Sequence, residues 1–235
     1  MNGQRVHALI PAAGRSVRFG GTTLKQYAHL LGMPVIAHSI AAVERHDAVQ
    51  SVTVALAPDD GIFDQLVRPN FPSVQTVTGG DSRAQTVMNG LRFINDQHPD
   101  CDWVLVHDAA RPCLSLADLN RLLDEGRESD AGAILAVPVY DTLKLADDTG
   151  YIEQTADRSR YWAAQTPQLF RISELILNLE AALSAGLEPT DEASAMEFAG
   201  VRPLLVEGST SNIKITGAAD LALAEFILQR QSVRE

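Results

Sequence analysis

WVLVHDAARP, residues 103–112, opens with a nearly uninterrupted apolar run and closes on charge. A strand that is apolar at every position, rather than at every second one, belongs where both faces of a sheet are covered. Double cover is typical of parallel sheets, whose helical crossovers pack on the two faces. The run ends in His107 and Asp108, so a carboxylate is expected at the carboxyl edge of a buried strand. Open α/β sheets bind their ligands beyond that edge.

Outward from this run, short β-branched stretches alternate with longer segments of helical spacing. Residues 6–11 (VHALIP), 51–57 (SVTVALA), 74–78 (VQTVT) and 133–139 (AILAVPV) read as strands. Residues 34–44 read as a helix with Pro34 at its first position, where no backbone donor is missed. Residues 82–95 place Val87, Leu91 and Ile94 at helical spacing. Leu116, Leu119, Leu122 and Leu123 share a face behind a capping-box-like start at Ser115 and Asp118. Residues 212–215 read as a late strand, and Leu223, Phe226 and Ile227 stripe a final helix. The expected class is α/β: a mostly parallel sheet flanked by helices. Residues 140–158 break the rhythm. They are polar, turn at Asp148-Thr149-Gly150 and predict a projecting β-hairpin. A two-stranded hairpin without its own apolar face is marginal alone, so this arm is expected to lean on a second subunit.

With 235 residues, the chain is read as one domain, residues 1–235, with the arm at about residues 139–158. Its core needs no staple, and Cys101 and Cys113 sit in no CxxC motif. A net charge of −11 argues against a general nucleic-acid coat or a basic membrane binder, so neither partner is expected. No apolar stretch approaches the roughly 20 residues that span a bilayer, and no secretory pattern opens the sequence. A cytoplasmic protein is expected. There is no GxSxG elbow, HExxH or CxxC pair to support serine catalysis or structural zinc.

Candidate chemistry lies in the loops that leave the strands. Ala12, Ala13 and Gly14 follow the first strand, and small residues there let backbone N–H groups approach a phosphate; a plain strand-to-helix turn would look similar. Arg18 and Lys25 follow and suit a polyphosphate, although cations at a surface are common. Gly80 and Asp81 follow the third strand, with Thr86 one helical turn on; Asp81 reads either as an N-cap or as a reader of a base edge. Asp108 suits a hydrated Mg²⁺ beside phosphates, or simply ends a turn. His107 reads as a packed, hydrogen-bonded histidine, since no second His or Cys stands at ligand spacing. Lys144 reads as a solvated hairpin charge. Lys214, between Ile213 and Ile215, faces away from both, so it points either to solvent or into the site. Residues 190–193 (TDEA) most simply start a helix, although their oxygens could also face a ligand.

PAAG, KQY, GGDSRAQTV, VHDAARP, VYDTLK, TADR, TPQLF, TDEASAME and NIKIT occur in this order. Over roughly residues 6–228, they closely resemble the 2-C-methyl-D-erythritol 4-phosphate cytidylyltransferases of the non-mevalonate isoprenoid pathway. The resemblance implies a Rossmann-like nucleotidyltransferase fold, Mg²⁺, a homodimer with exchanged arms, and transfer of CMP from CTP to a sugar-alcohol phosphate. It implies that Ala12, Ala13, Gly14, Gly80, Asp81 and Thr86 bind the nucleotide. Arg18, Lys25, Arg158 and Lys214 would be the catalytic cations. Asp108, Ala109, Arg111, Thr142, Arg158, Thr190 and Lys214 would meet substrate, with Asp108 also at the metal and Thr142 and Arg158 crossing from the partner. Ser16, Leu24 and Thr86 depart from the family's usual glycine, proline and serine, and none of these changes removes a charge. Ribitol 5-phosphate cytidylyltransferases are similar in motifs, and a non-catalytic nucleotide-binding module would share the scaffold.

Overall fold

A computed structural model describes residues 5–14 and 24–231. The chain begins with β1 (Val6–Pro11), a 3-10 turn at Lys25–Tyr27, and a small ladder of β2 (His29–Leu30) with β3 (Met33–Pro34). It continues through α1 (Val35–Glu44), β4 (Val49–Leu56), the short α2 (Phe63–Leu66), β5 (Gln75–Thr78) and α3 (Arg83–Gln97). Then come β6 (Trp103–Val106), α4 (Leu116–Glu128), β7 (Ala133–Pro138) and a hairpin of β8 (Lys144–Ala146) with β9 (Ile152–Thr155). The last elements are β10 (Trp162–Arg171), α5 (Ile172–Ser184), α6 (Glu192–Phe198), β11 (Leu204–Glu207) and α7 (Ala218–Gln231).

The main sheet has seven strands in the order β11-β7-β10-β6-β1-β4-β5. β10 runs antiparallel to both of its neighbours, and every other pairing is parallel. The α/β class expected from the sequence is therefore the one observed. Its logic is visible along single strands, because successive side chains point to opposite faces. Ala8 and Ile10 of β1, with Trp103 and Leu105 of β6, join the core that includes Ile36, Ile40, Leu119 and Leu122. Leu9, Val104 and Val106 join the opposite core, with Val87, Leu91, Leu175 and Met196. All four residues of β6 are fully buried, which is why the strand reads as an unbroken apolar run. Gly90 lets α3 lie close against this sheet, since a Cβ there would collide with the Leu9 side chain.

From β1 the chain moves to β4 and β5 on one side, then crosses to β6 on the other. Loops leaving β1 and β6 thus diverge, which opens a crevice at the carboxyl edge of the sheet.

The structure corrects several expectations. Pro34 is the extended residue preceding α1, not its first helical residue, because it pairs with His29 in the small ladder. Residues 212–215 form no strand: Ile215 N donates to Ala110 O at 2.8 Å, so this segment bonds the loop after β6 and not a sheet edge. In α7 the stripe is rotated. Ala224 is buried, with Leu221, Ile227 and Leu228 against the same cluster, while Leu223 and Phe226 face outward. Strands β10 and β11 were not anticipated. The hairpin at residues 144–155 does project, and its strands are exposed throughout. Among the described residues, no helix is long and apolar enough to cross a membrane.

Candidate active site

The crevice holds a cleft of about 640 Å³ lined by four loops, one of them residues 57–59 after β4, and one late segment. Ala12, Ala13 and Gly14 come from the loop after β1, and Lys25 from the turn that follows it. Gly80, Asp81, Ser82, Arg83 and Thr86 come from the β5–α3 junction. Asp108, Ala109 and Ala110 follow β6, and Lys214 completes the wall. Arg18 and Ser16 lie outside the described residues.

Each loop is held by bonds its sequence supplies. Gln26, buried beside Lys25, donates from Nε2 to Ala12 O at 3.1 Å and ties the Lys25 turn to the first loop. Tyr27 adds a second tie, its hydroxyl donating to Asp60 Oδ2 at 2.6 Å. Gly79 permits the first and second loops to touch, for a Cβ there would stand 2.6 Å from the Ala13 Cβ. Ser82, and not Asp81, caps α3, accepting from Gln85 N at 3.2 Å. Asp81 is left exposed on the cleft wall. The Thr86 Oγ1 accepts from Gly80 N at 3.1 Å and donates to Ser82 O at 2.8 Å, so its hydroxyl shapes the glycine loop from beneath.

The loop after β6 is the most heavily braced. His107 is fully buried, with Nε2 donating to Arg111 O at 3.0 Å. Its Nδ1 therefore accepts from the Thr166 hydroxyl, also at 3.0 Å, and that same oxygen accepts from Asp108 N at 2.9 Å. Burial dominates here and drives the His107 pKa down to about 4, so the ring is neutral. This is the hydrogen-bonded histidine expected from the sequence. Arg111 does not line the cleft. It is buried, donates from Nη1 to Asn212 O at 2.7 Å, and stands with Nε 3.8 Å from Asp108 Oδ2. Asn212 in turn donates to Thr166 O at 2.8 Å. These bonds anchor the segment that bears Lys214.

Asp108 is the hub. Its Oδ2 lies 2.7 Å from Lys214 Nζ, and its Oδ1 lies 3.5 Å from Arg83 Nη2. Burial opposes its charge, but Lys214 first and then Arg83 and Arg111 overcome this and hold the carboxyl well below the usual range. Lys214 thus points into the site, one of the two directions open to it. Arg83 reaches onward to Glu192, with Nη1 2.8 Å from Oε1 and Nη2 3.2 Å from Oε2. Burial works against the Arg83 charge, and Glu192 and Asp108 more than reverse it, so its pKa is raised.

Besides Arg111, three expected substrate residues stand outside this cleft. Thr142 and Arg158 are on the exposed arm, where Arg158 donates to Tyr140 O, and neither lines the cleft of its own protomer. Thr190 is exposed in the bend before α6. Lys144, also on the arm, donates to Thr155 Oγ1. The sequence reading assigns no role to Arg83, Gln26, Thr166 or Asn212, and to Glu192 only a place in a helix start whose oxygens could also face a ligand. All five stand inside quoted motifs, but the bracing bonds of Gln26, Thr166 and Asn212 are made to distant neighbours that no local pattern shows.

A mostly parallel sheet with a glycine loop, cations and one ionised carboxylate at its carboxyl edge defines a nucleotide-binding α/β protein with a polyphosphate-sized cleft. The profile of the 2-C-methyl-D-erythritol 4-phosphate cytidylyltransferases matches residues 6–230, and the chain belongs to that family. The chain is 52% identical over 223 residues to the enzyme of that name from Xanthomonas campestris pv. campestris (strain 8004), covering 95% of this chain and 84% of the relative. A crystal structure of a 4-diphosphocytidyl-2C-methyl-D-erythritol synthase is 41% identical, with a TM-score of 0.84 over 96% of this chain and 99% of that one. The Francisella tularensis 2-C-methyl-D-erythritol 4-phosphate cytidylyltransferase is 33% identical, with a TM-score of 0.81 over 95% and 99%.

Proposed function

We propose that this protein transfers CMP from CTP to 2-C-methyl-D-erythritol 4-phosphate, giving 4-diphosphocytidyl-2-C-methyl-D-erythritol and pyrophosphate. The observation that carries this reading is the cleft itself, where Lys25, Arg83 and Lys214 converge with Asp108 beside a glycine loop in a chain of net charge −11. We take residues 1–235 as one functional unit that includes the arm.

The chemistry follows from charge. The acceptor phosphate is largely a dianion at neutral pH, so its oxygen attacks the α-phosphorus in line without a general base, and pyrophosphate leaves opposite. The obstacle is bringing two polyanions together: each pair of unit charges at 4 Å costs about 4 kcal/mol at an effective dielectric of 20. Fixed cations offset such terms without reorganising during the reaction. Ala12, Ala13 and Gly14 cradle the triphosphate, and Gly80, Asp81 and Thr86 face cytosine. Arg18 and Lys25 stabilise the charge that develops on the triphosphate. Asp108 and Ala109 sit toward ribose and acceptor, and Lys214 holds the acceptor phosphate. Arg111 acts from behind by fixing Asn212 and hence Lys214.

Mg²⁺ fits this donor set. Asp108 is ionised on the cleft wall, and a magnesium ion shared with substrate phosphates needs only one or two carboxylates. Among the described residues, no three His, Cys, Asp or Glu side chains form a metal cage. Asp108 would hold the ion together with CTP oxygens, and the ion when bound would neutralise phosphate charge.

Thr142 and Arg158 would serve the cleft of a second subunit. The arm and its root support this, since Tyr140, Tyr151, Ile152 and Tyr161 are all at least half exposed. Apolar surface of that extent is typical of an interface.

The test is to incubate the protein with CTP, Mg²⁺ and either 2-C-methyl-D-erythritol 4-phosphate or ribitol 5-phosphate and to measure pyrophosphate. Release with the first acceptor is expected. Release with ribitol 5-phosphate alone would reassign the acceptor, and CTP binding without release in either mixture would leave a nucleotide-binding module.

A further inference from the structure

Glu192 is the first residue of α6 and its side chain is 1% exposed. It does not line the cleft, and no role follows for it from the reaction as derived above. Its placement is nevertheless closely determined. Asp191 caps α6 in a reciprocal box with Ser194. Gln168, buried in β10, then clamps the same turn from both ends of its amide. Its Nε2 donates to Asp191 Oδ2 and its Oε1 accepts from Ala193 N, each at 2.9 Å. From this fixed turn the Glu192 carboxylate grips both terminal nitrogens of Arg83.

The fork-to-fork geometry fixes a guanidinium plane as well as a charge. Lys214 is different: its side chain is 42% exposed and its contact to Asp108 is a single point. Of the two cations within 3.5 Å of Asp108, Arg83 is therefore the one that a buried partner holds in place. A fixed cation on one carboxylate oxygen keeps Asp108 oriented even when Lys214 turns toward a substrate phosphate.

We infer that Glu192 is a positioning residue, which acts through Arg83 to hold the Asp108 carboxylate in the orientation that the nucleotide requires. The inference rests on the cytidylyl-transfer reading for its kinetic consequence but not for its binding consequence. Buried partners that orient a metal- or phosphate-binding group typically contribute about 10- to 100-fold.

The test is a double-mutant cycle with Glu192→Gln and Arg83→Met, read in two ways: CTP affinity with Mg²⁺ by titration calorimetry, and steady-state pyrophosphate release. Glu192→Gln should weaken CTP binding and lower kcat by about tenfold or more, with the acceptor KM changed less than about twofold. In the Arg83→Met background the same change should add almost nothing. Additive losses, or full CTP affinity in Glu192→Gln, would overturn the inference. Glu192→Asp keeps the charge but withdraws it by one methylene, and it should give an intermediate loss at a near-native thermal midpoint. If Glu192→Gln fails to fold, this variant decides, and wild-type CTP affinity in it rejects the role. A wild-type protein that binds CTP without releasing pyrophosphate would defeat the transfer reading alone, while the affinity cycle would still judge Glu192.

Discussion

Lys25 and Arg158 carry the same charge but are assigned different work. Lys25 is anchored through Gln26 and Tyr27 to the cleft wall, whereas Arg158 sits on an arm that reaches away from it. Lys25→Ala should therefore lower kcat by about 10²- to 10³-fold, as removal of a transition-state contact does. Arg158→Ala should mainly raise the KM for the acceptor. Steady-state kinetics with each substrate varied will distinguish the two, and equal, small effects would remove this division of labour. At this scale the sequence was informative wherever a residue belongs to a compact loop. Ala12 to Gly14, Gly80, Asp81, Thr86, Asp108 and Lys214 stood out by type and position, and the structure brings all of them to one cleft. Arg111 was harder to read because an arginine beside an aspartate looks like a ligand contact. Only tertiary packing shows that its guanidinium donates to the Asn212 carbonyl.

The arm is the element whose environment within one protomer is least complete. Tyr151 and Ile152 are 75% and 65% exposed, and the hairpin has only its own two strands for support. If arms are exchanged, a site draws Lys214 from one subunit and Arg158 from the other. Mixing the impaired Arg158→Ala and Lys214→Ala homodimers, assayed at an acceptor concentration well below the KM of Arg158→Ala, should then restore activity, because each mixed dimer rebuilds one intact site. Random reassortment gives about a quarter of the wild-type rate. Unmixed dissociation and reassociation supplies the control, and no recovery on mixing would place both residues in the same subunit's site. The arm was legible from its polar composition and turn. β10 was not, and Pro167 is the reason: proline lacks a ladder donor and argues against a central strand. The sheet accommodates it where the β10–β7 register shifts, between Ala164 and Gln168. α7 misled for a different reason, since a stripe of large apolar residues need not be the buried one.

Over the whole molecule, burial lowers the pKa of three described histidines, His7, His38 and His107. His107 is held at about 4, and so is His7, whose ring stacks on His98 at 4.1 Å and whose Nδ1 meets Ser51 Oγ. The unfolded chain takes up these protons near the ordinary histidine value, so it binds more protons than the folded one between about pH 6.5 and 4. Stability should therefore be complete above about pH 6.5 and fall as the pH drops through that window, with His107 contributing up to about 3 kcal/mol. Urea midpoints measured across this range will show the slope, and His7→Asn should flatten it; a flat wild-type profile would contradict the assignment. Paired carboxylates such as Asp108 extend the loss only below their unfolded value near 4. β10 has one more consequence. It leaves the root of the arm at Trp162 and runs to Arg171 in the middle of the sheet, delivering Thr166 to the Asp108 backbone and Gln168 to α6 on the way. Since strand side chains alternate, inserting or deleting one residue in this return leg would turn both of them to the wrong side. A change of length should thus be tolerated at the tip between β8 and β9 and not in the leg that carries the arm home.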